Sequence, residues 1–254
     1  MIIVSAIGVV LGAIFQRIAG LGFALVVAPL FVITFGPYDG VLLINFGGTL
    51  SSIFVLTRMW RAVNWRRYLQ IGPAAMLAII PTSFLVVQSN GSGLQVGIGV
   101  ILLVGLTISL VRKTRPESVP RWWLSALTGA TAGVTSAAAG VGAPPMGIYA
   151  LSTGWNQREF AATLQPIFFT TGATSFLSKI LIAGELPAIE WPIWVSMVVL
   201  GSLGLTIGEW AKKYVPAPAA RTFALVLCFA GALAATVDGV MSLVTESTEG
   251  SGDP

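Results

Sequence analysis

Over its first 111 residues the chain is charged only at Arg17, Asp39, Arg58, Arg61, Arg66 and Arg67, which leaves long, largely apolar intervals at 1–16, 18–38, 40–57 and 68–111. A soluble domain normally carries about a quarter charged residues. This chain has 9% charged and 55% hydrophobic residues, with a mean hydropathy of +0.86. Such a chain folds in a bilayer. At about 20 residues per crossing plus short connections, its length fits roughly eight to ten spanning or half-spanning segments in one membrane domain. The apolar stretches fall at 2–18, 21–35, 40–57, 69–88 and 94–111, then at 122–138, 141–153, 160–181, 191–208 and 220–244. The first has no basic leader and reads as a retained segment rather than a cleaved signal. The stretch 245–254, "TESTEGSGDP", is polar and acidic and reads as a disordered tail.

An offset of 120 residues superimposes the two sets of stretches: Gly20 and Gly22 fall on Gly140 and Gly142, Asn45 on Gln165, and Ser51 on Thr171. The predicted architecture is therefore an all-α polytopic membrane protein made of two repeats, 1–116 and 117–244, of about five helical segments each. Lys and Arg accumulate in cytoplasmic connections. They gather at Arg58 to Arg67, Arg112 to Arg121 and Lys212 to Arg221, whereas "SNGSG" (89–93) and "AGELPAIE" (183–190) carry no basic residue. Those two connections, and the tail, are placed outside. Each half then makes an odd net number of crossings, so the second is inverted relative to the first, as in many secondary transporters. All eight Trp lie at or beside segment ends, which reads as an interfacial belt.

"AGLG" at 19–22 and "AGVG" at 139–142 interrupt this apolar sequence at equivalent places. The segments that follow are short: about 14 or 15 residues reach about 21 to 23 Å as helix, against a hydrocarbon core of roughly 30 Å. They are predicted to be broken or re-entrant helices meeting at the Gly pairs, where their uncovered N–H groups and positive dipole ends would suit an anion. The alternative is that Gly20, Gly22, Gly140 and Gly142 simply let helices approach closely. Close packing is the reading for Gly8/Gly12, Gly129/Gly133 and Gly204/Gly208. Asn45 and Gln165, with Ser51 and Thr171 further along, could donate hydrogen bonds to a ligand or serve as interhelical glue. Arg17 stands near the mouth of such a site, with snorkelling to the inner interface as its alternative. Lys179 is expected to snorkel at the outer end of its segment, and Arg158 and Glu159 to form a solvated pair.

The formal charge of +4 comes from basic connections and marks topology rather than nucleic-acid binding. The sequence has no His, a single Cys228, no phosphate-binding loop and no acidic series inside its segments. A metal site, a cofactor, a nucleophilic triad and a proton relay are thus not expected. Nor is catalysis.

"GLGFALVVAPLF" followed by Pro37, then "GVTSAAAGVGAPP", "EFAATLQPIFF" and the closing "GSLGLTIGEWAKKYVPAPAARTFALVLCFAGALAA", resemble the sulfite exporter TauE/SafE family over nearly the whole chain. The resemblance implies a bacterial plasma-membrane carrier or exporter of small sulfur-containing anions such as sulfite, thiosulfate or organosulfonates, with lipid and a small anion as partners and a homodimer as a possible assembly. For residues it implies a role for Gly20, Gly22, Gly140 and Gly142 and the helix starts behind them. Two departures stand out: Phe23 and Ala143 replace the third glycine of each cluster, and "LINF" and "TLQP" replace a small "GTS"-like stretch. The competing reading from another class is a non-transporting membrane scaffold or partner subunit, which would show no flux in vesicles.

Overall fold

The structure, a computed structural model, describes residues 2–20, 22–89, 122–184, 187 and 189–216, with isolated positions within 93–107 and 219–241. The fifth stretch of each half lies largely outside the described residues. The Arg112 to Arg121 connection, Cys228 and the tail lie wholly outside them.

Regular structure among the described residues is helical: α1 (Ile2–Ala19), α2 (Gly22–Phe35), α3 (Pro37–Met59), a 3-10 turn (Trp60–Ala62), α4 (Trp65–Gln88), α5 (Trp122–Ala139), α6 (Ala143–Ser152), α7 (Gln157–Ala183) and α8 (Trp191–Ala211). Adding 120 to the bounds of α1 gives those of α5, and the later helices correspond within a few residues. Local chemistry sets the ends. Pro37 opens α3 after Gly36 at φ 82°, Asn64 caps α4 by accepting from Arg67 N–H, and Asn156 caps α7 by accepting from Arg158 and Glu159. Four of the helices, three of them extended by no other element and α3 together with its 3-10 turn, are long and apolar enough to cross a membrane. At 14 and 10 residues, α2 and α6 reach about 21 and 15 Å and fall short of the hydrocarbon thickness.

The two halves pack by exchange. Helix α1 lies along α8, α5 lies along α4, and α3 and α7 pair at the centre. Glycines make the exchanged contacts close. A Cβ added at Gly129 or Gly133 of α5 would collide with the carbonyl oxygens of Ile71 and Ala75 on α4. One added at Gly204 or Gly208 of α8 would stand 2.6 Å from the Val10 oxygen and 3.0 Å from the Ile14 oxygen of α1. These pairs are the small-residue seams expected of membrane helices. Gly12 faces Val27 of α2 instead, and Gly8 has ordinary room.

Helices α3 and α7 are antiparallel. Tyr38 at the start of α3 donates to the Lys179 carbonyl near the end of α7, Asn45 meets Ser175, and Asn64 beyond α3 meets Thr163 and Glu159 at the start of α7. The end of the bundle that holds Asn64 also gathers Arg17, Arg58, Arg61, Arg66, Arg67, Arg158, Lys212 and Lys213, which are all the described basic residues except Lys179. The outer faces are apolar: Leu77 and Leu181 are 72% and 80% exposed. A surface of that kind suits hydrocarbon rather than water.

Six of the eight Trp are exposed, as an interfacial belt requires. Trp155 is buried, stacked beneath the Arg67 guanidinium at 4.3 Å and donating to Glu159 at 2.9 Å. Trp194 packs edge-on against Phe46 and Phe176. Glu159 bonds to Asn64 and Trp155 and forms no ion pair with Arg158 among the described residues, so these two are not the solvated pair expected from adjacency.

Candidate functional site: a cavity between the two helix breaks

Both AG-G sequences break the backbone in the same way. Gly20 and Gly140 adopt φ of +77° and +71°, a left-handed conformation that glycine enters without the steric cost other residues bear. Each N–H closes the preceding helix at 2.9 Å, on the carbonyls of Gln16 and Ser136 respectively. Those acceptors are themselves 120 residues apart. The matched breaks turn the chain from α1 into α2 and from α5 into α6.

A cavity of about 30 Å³ lies where these turns approach α3 and α7. Its walls include three pairs of residues 120 positions apart: Gln16 and Ser136, Phe23 and Ala143, Gly48 and Phe168. Asn45, Thr171, Gly140 and Gly142 complete the polar part of the lining, and no lining residue is charged. Gly48 is the midpoint of α3, and Thr171 is near that of α7. The volume holds about two water molecules, with Phe23 and Phe168 as the bulkiest of its walls.

The donors are unequal. At the start of α2 the Phe23 N–H is taken up by the Gln16 side-chain oxygen at 3.2 Å. The start of α6 has no side-chain cap, but Pro144 and Pro145 remove two of the N–H groups a helix start would otherwise expose. The symmetrical pair of N-terminal donors expected from the sequence is thus replaced by one capped start and one proline-reduced start. Side-chain amides make up the remainder. Gln16 donates to Gln165 at 3.3 Å, and Asn45 donates to Ser175 at 2.9 Å. Each primary amide has two N–H donors, so both retain one.

Of the sequence-derived candidates, Asn45, Gly140, Gly142 and Thr171 line the cavity. Gln165 is fully buried one hydrogen bond behind Gln16 and donates to the Ala161 carbonyl. Gly20 turns the chain beside it, Gly22 opens α2, and Ser51 faces an apolar chamber of about 300 Å³ between α3 and α8. Arg17 pairs with Glu209, so it does not snorkel freely. Glu209 also holds Lys212 and, at 3.3 Å, Arg58, tying α1, α3 and α8 together at the basic end.

Gln16, Ser136 and Phe168 were not among the candidates. The 120-residue offset carries the signal for the first two, since each stands one helical turn before a glycine break.

These features define a multi-pass helical membrane protein with an uncharged cavity at its centre, lined by apolar groups and a few hydrogen-bonding side chains. The chain belongs to the sulfite exporter TauE/SafE family, whose model matches residues 4–235. That is a family of membrane transporters. No curated protein and no solved structure matches the chain.

Proposed function

We propose that the chain is a secondary carrier that exports small sulfur-containing oxyanions or organosulfonates across a bacterial inner membrane, without nucleotide or cofactor. The observation that carries this reading is the central cavity, walled by matching positions of the two halves and supplied with uncharged donors. Neutral amides can bind an anion without trapping it, since hydrogen bonds to a charged group contribute about 1.5 to 3 kcal/mol each. Gln16, Asn45, Thr171 and the α6 start at Gly142 would hold the anion. Gln165 would orient Gln16, and the flexible breaks at Gly20, Gly22 and Gly140 would let the walls part.

The two halves act as inverted repeats in this account, with the basic end cytoplasmic. The Glu209 cluster closes the cytoplasmic side and opens as α8 moves against α1 and α3. Ser51 and its apolar chamber would accept the organic part of a sulfonate.

Purified protein should melt at higher temperature in sulfite, thiosulfate or a short alkylsulfonate, because a ligand that binds the fold stabilises it by mass action. At 100 times Kd the gain is about 2.7 kcal/mol. Identical melting in all three anions and in chloride would remove the binding reading and favour a scaffold.

A further inference from the structure

Lys179 is out of place. It is the one described basic residue away from the basic end, and its side chain is completely buried in α7 with no hydrogen-bond partner for Nζ. No described carboxylate pairs with it. A long side chain near a helix end would normally reach the interface, but this one is fully buried, while its backbone carbonyl accepts from the Tyr38 hydroxyl at the start of α3 at 3.4 Å. A buried ammonium without a counter-charge is costly, and ionisable groups retained inside membrane segments mark substrate or ion pathways.

Lys179 continues a line of buried polar residues along α7. Thr171, Ser175 and Lys179 are four residues apart and share one face of the helix. All three are buried. Thr171 lines the cavity, and Ser175 accepts a hydrogen bond from Asn45, which lines it too. The series therefore leaves the cavity in steps of about 6 Å and ends at the amine, toward the end of the bundle opposite the arginines.

We propose that Lys179 is a second anion station, outside the central cavity, to which the transported oxyanion passes along Thr171 and Ser175. The inference rests on the transport reading. The travelling anion supplies the counter-charge that the fold withholds, and Lys179 in turn draws it from neutral donors toward the exit.

The test uses full-length protein in vesicles loaded with sulfite, comparing wild type with Lys179→Met, and with Lys179→Cys in a Cys228→Ser background. Both substitutions remove a buried unpaired amine, so the variants should melt no lower than wild type and keep their sulfite-induced melting shift, which reports the cavity. Their sulfite efflux should fall about ten-fold or more, the effect of losing a charged hydrogen-bond partner. 2-Bromoethylamine, which alkylates the cysteine thiolate with loss of bromide to give a lysine-like thioether amine that sulfite does not cleave, should recover efflux, and iodoacetamide, which leaves a neutral amide there, should not. Wild-type efflux from Lys179→Met, or equal efflux after the two reagents, would overturn the station while leaving the carrier intact. No sulfite efflux from wild type would overturn the transport reading and the station with it.

Discussion

Gly133→Leu is expected to leave little or no folded protein in the membrane. Helix α5 meets α4 so closely that even a Cβ at Gly133 would run into the Ala75 carbonyl oxygen, and Gly129 repeats the contact one turn away at Ile71. Backbone atoms cannot yield as a flexible side chain can, so the helices must separate along the whole seam. Overpacking costs about 1 to 3 kcal/mol in ordinary cores, occasionally more, and a branched side chain against backbone belongs at the upper end. Gly201→Ala is the control, since a Cβ there meets Val9 at an ordinary 3.8 Å. Size-exclusion profiles and melting curves in detergent should separate the two variants. A monodisperse Gly133→Leu that melts like wild type would mean that α4 and α5 do not pack as described.

Asn45→Leu and Gln16→Leu should each weaken anion binding by about ten- to a hundred-fold, the loss of one donor to a charged ligand. Gln16→Leu should be the more severe. Gln16 also accepts from the Phe23 N–H and donates to Gln165, so its removal leaves a buried backbone donor and a buried amide short of partners, at about 1 to 3 kcal/mol each. Its melting temperature should fall as well, whereas Asn45→Leu leaves Ser175 short of one hydrogen bond. Titrations of melting temperature against sulfite give both quantities. If both variants bind like wild type, the amides are interhelical glue and the cavity is a packing gap.

Much of the fold was legible because glycine and charge leave strong marks. A tetrapeptide repeated at an offset of 120 located both left-handed turns, and the basic clusters located one end of the bundle. What escaped depends on partners in three dimensions. Gln16 was hidden beside Arg17 at a segment end, and only the return of α2 and α7 makes it a cavity residue. Lys179 reads as a snorkelling side chain until its complete burial is seen. Trp155 lies beside a segment end like the belt residues, but Arg67 and Glu159 fold over it. The prolines of "GAPP" were visible from the start; their effect on the donor count at α6 follows once the helix is seen to begin at Ala143.

On the transport reading, an anion crosses this protein down its electrochemical gradient. A membrane potential, negative inside, is worth about 2.3 kcal/mol per elementary charge per 100 mV. For a dianion that is about 4.6 kcal/mol, more than a thousand-fold in concentration ratio, and it favours export without nucleotide or proton relay. Vesicles loaded with sulfite and clamped by potassium and valinomycin measure this directly. Faster sulfite loss with the interior negative than at zero potential is the predicted result; indifference to potential, with strict dependence on a proton or sodium gradient, would contradict it.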